Sequence, residues 1–349
     1  MNQEELFDVT VIGGGPAGLY SAFYSGLREM KTKIIEFQPQ LGGKIHVYPE
    51  KMIWDIGGQP PITGAKLIDQ LVEQGLTFHP EVVLNEKVAS ITRNQEGIFV
   101  LTTSSGQKHF SKTVIVAMGS GILKPQKLEI EGAERFEVSN LNYTVKSLKH
   151  FKDKIVIVSG GGNSAIDWAN ELEPIAKKVY LTYRKDALAG HEAQVTQLMN
   201  SSAVCFLNTS ITKLIACENH EAIERVELTN HETGEISYVS IDEVIINHGY
   251  ERDMTLLENS ELDIAIADHY YIAGNSISES SIPGLYAAGD ILKYEGKVHL
   301  IAGAFQDAAN AVNKAKPFIE PNASDHAMVS SNNEMFKQRN RELVKQMMK

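Results

Sequence analysis

Gly13, Gly15 and Gly18 stand at G-x-G-x-x-G spacing in the stretch Asp8-Val9-Thr10-Val11-Ile12-Gly13-Gly14-Gly15-Pro16-Ala17-Gly18. That spacing suits a pyrophosphate. The first glycine allows a tight turn, the second lets backbone approach the ligand, and the third lets a helix pack close to a strand. A helix opening at Pro16 and Ala17 would aim free N–H groups and a partial positive charge at the phosphates. Glu36 ends the next apolar run, Lys33-Ile34-Ile35, where a carboxylate would accept from ribose hydroxyls.

The device recurs as Gly160-Gly161-Gly162-Asn163-Ser164-Ala165, the G-x-G-x-x-A form, so the chain repeats a nucleotide-binding unit. Gly160, Gly162 and Ala165 hold the fixed positions; Asn163 and Ser164 open the helix. The run after it, Lys178-Val179-Tyr180-Leu181-Thr182-Tyr183-Arg184-Lys185, ends in cations where the first unit has an acid. Arg184 and Lys185 suit a 2′-phosphate, through bidentate and point-charge contacts respectively; the plain alternative is a solvated pair of loop cations. The first site thus prefers an unphosphorylated ribose, as in FAD, and the second NADP(H). Two dinucleotides in one chain imply electron transfer between them, unless one unit is a degenerate relic.

Each motif needs a strand before it and a helix after it, and the hydrophobic pattern supplies both. Residues 63–75 read as a helix capped by Thr63, with Leu67, Ile68, Leu71 and Val72 at helical spacing. Residues 79–116 read as short strands, and Lys112 to Met118 as a buried strand running into Gly119 and Gly121, which are hinge candidates. Residues 203–247 repeat that pattern, and Asp242 to Tyr250 mirrors the earlier crossing. Tyr48 lies in a loop with Pro49, where an aromatic ring either stacks on a planar ligand or packs over a strand edge. Asp290 follows Ala287-Ala288-Gly289 before a small-residue helix over 297–316; it is either a ligand for flavin ribityl hydroxyls or a helix cap. The tail carries a loop with Pro317 and Pro321, then a helix with Phe336, Leu343, Val344 and Met347 on one side. It reads as a solvated terminal helix, a lid, or a basic contact for an acidic partner.

At 349 residues about two domains are expected. Dividing the chain at the crossings gives a discontinuous FAD domain, 1–118 with 250–349, and an NADPH domain, 119–249. A net charge of −11 argues against a nucleic-acid partner, which would call for a basic face. Cys205 and Cys217 have neither metal-ligand nor C-x-x-C spacing and read as free thiols in a reducing compartment. No apolar run is long enough for a membrane span, and the N-terminus is acidic, so a cytoplasmic protein with no membrane contact and no metal is expected.

Together these residues resemble the flavoprotein reductases built on the thioredoxin-reductase plan, and among them the ferredoxin/flavodoxin–NADP+ reductases of that type. The likeness covers nearly the whole chain and is carried by Gly13–Gly18, Gln40-Leu41-Gly42-Gly43, Tyr48-Pro49-Glu50-Lys51, Gly160–Trp168, Gly284–Asp290 and Tyr294-Glu295-Gly296-Lys297. It implies an α/β fold of two three-layer, Rossmann-like domains. It implies that Glu36 holds the adenosine ribose, Asp290 the ribityl chain, and Tyr48 one face of the isoalloxazine. Gly43, Lys44 (where Gln is usual), Val88, Leu123 and Ser331 become further FAD contacts. It also implies a homodimer in which the tail, 317–349, covers the partner's flavin. There are departures. No C-x-x-C follows the second glycine turn, so protein disulfides are not reduced that way. Ala17 stands where bacillithiol disulfide reductases carry Cys. Val329-Ser330-Ser331 replaces a His-Ser-Thr tail motif, so no imidazole stacks on the second flavin face. Ala189 replaces a frequent Arg. The expected activity is electron transfer from NADPH through FAD to flavodoxin or ferredoxin, with no side chain acting as acid or base. A reductase of small disulfides or quinones on the same frame is the runner-up, and a non-catalytic nucleotide-sensing module a further rival. A hinge at 117–121 and 248–253 would bring nicotinamide to flavin.

Overall fold

A computed structural model describes residues 5–119 and 124–348. The chain forms two compact units: 1–46, 51–122 and 252–349 in one, and 47–50 with 123–251 in the other. Leu123 and Gly121 lie outside the described residues.

The first unit is organised by the strand Leu6–Ile12, whose Val9 and Val11 are fully buried. A run apolar on both faces is what a covered parallel sheet requires. The strand order is Glu81–Val83, Thr32–Ile35, Leu6–Ile12, Lys108–Val116, Phe99–Thr103, Val88–Arg93. Thr32–Ile35 runs parallel to Leu6–Ile12, with Val9 opposite Thr32 and Ile12 opposite Ile35. Lys108–Val116 divides its other edge between two partners. Its first half pairs antiparallel with Phe99–Thr103, and its second half parallel with Leu285–Ala287. The core gathers Ile12, Ile35, Ile91, Phe99, Leu101 and Val114 against Tyr270, Ile272 and Leu292.

Helices Pro16–Leu27, Gly64–Gly75 and Ile301–Ile319 belong to the same unit. Thr63 caps the second, its Oγ1 accepting from Lys66 N–H at 3.4 Å. The third starts four residues later than the sequence pattern suggests, because Gly296 turns the chain at φ +79° and Lys297 is drawn to Asp307. It also runs through Pro317, which was expected in a loop. A proline this close to a helix end forfeits a single backbone bond, and the next ring, Phe318, lies against Gly284.

The second unit is a parallel sheet in the order Val204–Phe206, Lys178–Thr182, Ile155–Ser159, Glu243–Ile246, Leu141–Asn142. Successive residues of one strand face opposite layers. Val156 and Val158 pack with Ile166, Trp168 and Leu172 of helix Asn163–Leu172. Ile157 packs instead with Ile211, Val226 and Leu228 of the antiparallel sheet Thr209–Ala216, Ile223–Asn230, Ile236–Ser240. Helix, parallel sheet and antiparallel sheet make three layers.

The tail helix Glu334–Met347 is capped by Asn333, whose Oδ1 accepts from Met335 N–H at 3.0 Å. Its Phe336 ring lies 5.4 Å from Phe78, which continues through Phe23 and Tyr20 to Phe305 as a row of aromatic contacts. Leu343, Val344 and Met347, the rest of its apolar side, are exposed.

At the opposite end of the first sheet from the glycine turn, Lys33 is buried. Its Nζ lies 3.0 Å from Glu81 Oε1 and 3.1 Å from His109 Nδ1. Burial and the Lys33 charge hold the His109 imidazole below its ordinary value of 6.5, with Glu81 and Glu86 pulling the other way. As pH falls, the unfolded chain takes up this proton first, so stability declines below about pH 6.5. Thermal melts of His109→Gln should therefore show a shallower loss of stability between about pH 6.5 and 5 than the wild-type protein.

Candidate functional site

The two glycine turns are built alike, each within its own unit. In the first, Gly13 N–H bonds Ile35 O at 2.9 Å and Ala117 N–H bonds Ile12 O at 2.8 Å. In the second, Gly160 N–H bonds Thr182 O at 2.9 Å and Asn247 N–H bonds Ser159 O at 2.8 Å. Each leading glycine has positive φ, +107° and +148°. A Cβ on Gly13 would lie 2.5 Å from Ala117 O, and one on Gly160 2.5 Å from Asn247 O. Only glycine fits where the turn is pressed against the carbonyl that follows a parallel strand.

The helices that follow open at Gly15 and Gly162, with neither a capping side chain nor an acid in the first turn. Their first N–H groups are thus left to an anion. Pro16 occupies the first helical position, where its missing N–H costs nothing; Ala17 is buried behind it. A Cβ on Gly18 would collide with Gly13 O, so the helix rests directly on the turn.

Around the first turn, Gly42 N–H bonds Gly14 O at 2.8 Å. A Cβ on Gly43 would fall 2.7 Å from Gly15 Cα. Two loops thus face each other as bare backbone, a cradle that side chains would fill. Glu36 is buried, its Oε2 accepting from Gly14 N–H at 2.6 Å and its Oε1 from Gln38 N–H at 2.7 Å. Each oxygen keeps a second lone pair. Lys44 is exposed at the start of the 3-10 turn Gly43–Val47. Val88 is buried in the core, which leaves only its backbone for a ligand. Asp290 sits in the turn Gly289–Ile291, exposed and without a hydrogen-bond partner among the described residues. It caps no helix. These features fit the dinucleotide that the sequence pattern suggests.

Tyr48 is half-buried against the apolar cluster of the second unit, which includes Val145, Phe151 and Trp168. Its neighbour Glu50 accepts from Leu148 N–H at 2.7 Å. Val329 is 66% exposed and Ser331 is exposed in the turn Ser330–Asn332.

At the second turn the register makes Tyr183, rather than Arg184, the counterpart of Glu36, because Ser159 pairs with Thr182 as Ile12 pairs with Ile35. The Tyr183 ring occupies the space over Gly161. Arg184 and Lys185 follow, both exposed and with no acidic partner among the described residues. Gly162, Asn163 and Ser164 are exposed and Ala165 is buried. Asn163 Oδ1 accepts from His191 N–H at 2.9 Å, and Ala189 N–H bonds Gly161 O at 2.7 Å, so the 189–191 loop is pinned to the turn. His248 Nε2 lies 2.9 Å from Ser159 Oγ; desolvation and the Arg184 charge hold its imidazole below the ordinary range, with Glu129 opposing.

Sequence reasoning missed one group. Asp307 is fully buried in helix Ile301–Ile319, where its Oδ2 accepts from Gly289 N–H at 3.0 Å and pairs with Lys297, and its Oδ1 accepts from Tyr294 O–H at 2.9 Å. Tyr294 and Lys297 stand in a stretch singled out for its resemblance, but no periodicity marks Asp307 as their partner.

Relatives of this chain agree with the geometry. Ferredoxin–NADP reductase 1 of Bacillus mycoides is 84% identical over 349 residues, covering 100% of both chains. Ferredoxin–NADP reductase 1 of Bacillus cytotoxicus is 85% identical over 347 residues, 99% of each. Among solved structures, the thioredoxin reductase of T. acidophilum superposes with a TM-score of 0.77 at 23% identity, covering 92% of this chain and 100% of that one. The fold is therefore thioredoxin-reductase-like. A family model described as pyridine nucleotide-disulphide oxidoreductase matches residues 7–315, and the chain belongs to that family.

Proposed function

We propose that the protein is a ferredoxin–NADP reductase, holding FAD in the first unit and NADPH in the second, and passing electrons to ferredoxin or flavodoxin. The observation that carries this reading is the asymmetry of two otherwise matching turns. One is followed by a buried carboxylate with spare lone pairs, the other by an unpaired guanidinium and ammonium. Full-length relatives bearing the ferredoxin–NADP reductase name support it. Bound FAD supplies the redox chemistry, linking a two-electron donor to one-electron acceptors.

The chain's own residues bind and orient. Glu36 accepts from the adenosine ribose while bracing the glycine turn, and Asp290 accepts from the ribityl hydroxyls. Gly13, Gly15, Gly18 and Gly43 let backbone approach the pyrophosphate. Lys44, backbone at Val88, and Ser331 of the tail complete the FAD contacts, with Leu123 assigned by resemblance alone. We assign Tyr48 to the face of the bound flavin and Val329 to the opposite-face position, where it shields without stacking. Gly160, Gly162, Asn163, Ser164 and Ala165 present the second helix N-terminus to NADPH, and Arg184 and Lys185 take the 2′-phosphate. No acid or base is required.

Free Cys205 and Cys217 suit a reducing, cytoplasmic setting. The exposed apolar side of the tail helix suits a homodimer contact.

Stopped-flow reduction of the flavin tests the cofactor assignment. NADPH is expected to outpace NADH, and Arg184→Ala to weaken NADPH alone, by about 10- to 100-fold for a lost charge-assisted contact. Equal rates with both nucleotides, unchanged in the variant, would remove it. Light scattering should give a dimer mass for the wild-type protein, and Val344→Glu with Met347→Glu should shift it towards monomer; an unchanged mass rules that helix out of the contact.

A further inference from the structure

Among the described ion pairs, none is buried as fully as Lys297–Asp307, with 2% and 0% side-chain exposure. Such a pair is expensive to desolvate, and apolar residues would join two elements at least as well. Its placement suggests another purpose. The Asp307 carboxylate has three donors: Lys297, the Gly289 backbone and the Tyr294 hydroxyl. Desolvation and the hydrogen bond to Asp307 push the Tyr294 phenol up to about 12, so it stays protonated and keeps donating. Gly289 starts the turn that carries Asp290. It has φ +76°, and a Cβ there would lie 3.0 Å from Ala17 Cβ, on the first turn of the helix after Gly15. Ser278 Oγ donates to the Asp307 backbone carbonyl at 2.8 Å, fixing the helix at the same point. The buried pair therefore stands one peptide away from the unpaired carboxylate of Asp290 and against the first glycine turn.

We propose that Asp307 and Lys297 are positioning residues for the redox group of the first unit. Asp307 holds the Gly289–Asp290 turn in place. Lys297 cancels the charge Asp307 brings, so that only Asp290 presents net negative charge there. The proposal rests on the FAD reading above. An uncompensated anion beside a flavin opposes adding electrons, and an uncompensated cation favours it. A pair that only held the fold together would leave the electron affinity of the flavin unchanged.

The test uses Asp307→Asn, Lys297→Met and the double variant, as full-length protein. Three quantities are measured at mildly alkaline pH: FAD affinity of the apoprotein by flavin fluorescence, the flavin midpoint potential by equilibration with redox dyes, and the thermal midpoint of the apoprotein. Asp307→Asn is expected to shift the potential positive, Lys297→Met to shift it negative, and the double variant to return near the wild-type value. Loss of FAD affinity should accompany Asp307→Asn more than a drop in apoprotein stability does. Potentials that do not move, or that move in the same direction in both single variants, overturn the proposal. If Lys297→Met does not fold, Asp307→Asn and the double variant still differ by the Lys297 charge alone, and equal potentials for those two overturn it. Wild-type apoprotein that binds no FAD instead sinks the underlying FAD reading, a separate outcome.

Discussion

The close approach of a glycine to a carbonyl, made once in each unit, is the constraint on which the rest depends. Gly13 is pressed onto Ala117 O and Gly160 onto Asn247 O, each held there by hydrogen bonds from strands on both sides. Nothing larger fits, so the chain must turn sharply, and the turn must deliver a helix whose first N–H groups face outward. The ligand chemistry follows from backbone geometry before any side chain is considered. Side chains then only select which dinucleotide is held.

That selection rests on a small positional difference. In the first unit the residue after the second strand is Glu36, whose carboxylate clamps two backbone N–H groups around the turn. Its register counterpart, Tyr183, covers Gly161 with an uncharged ring, which leaves the cations that follow as the dominant field. The first unit repeats the tactic at Asp307, where a buried carboxylate again fixes a backbone N–H beside a glycine. Acids here set loop geometry as much as they contact ligand.

Much of this was legible in the sequence because it is local. The glycine spacing, the strands flanking it, the Thr63-capped helix and the late strand ending at Asp290 are all written in contiguous patterns. What escaped was non-local or one residue out of phase. Asp307 meets Gly289 and Tyr294 across 18 and 13 positions, at no period a helix or strand would show. Arg184 was set opposite Glu36 because both close a strand, and only the pairing of Ser159 with Thr182 moves that role to Tyr183. Pro317 was taken as a breaker, yet the helix carries it near its end, where one missing donor matters little.

The divided edge of Lys108–Val116 has a temporal consequence. Half of that edge finds its mate in the hairpin made just before it, but the other half waits for Leu285–Ala287. During synthesis from the N-terminus, all the intervening chain, including the complete three-layer unit of 124–251, leaves the ribosome first. The later unit in sequence is therefore free to finish folding while the earlier one still has a bare strand flank, open to pairing with the wrong chain.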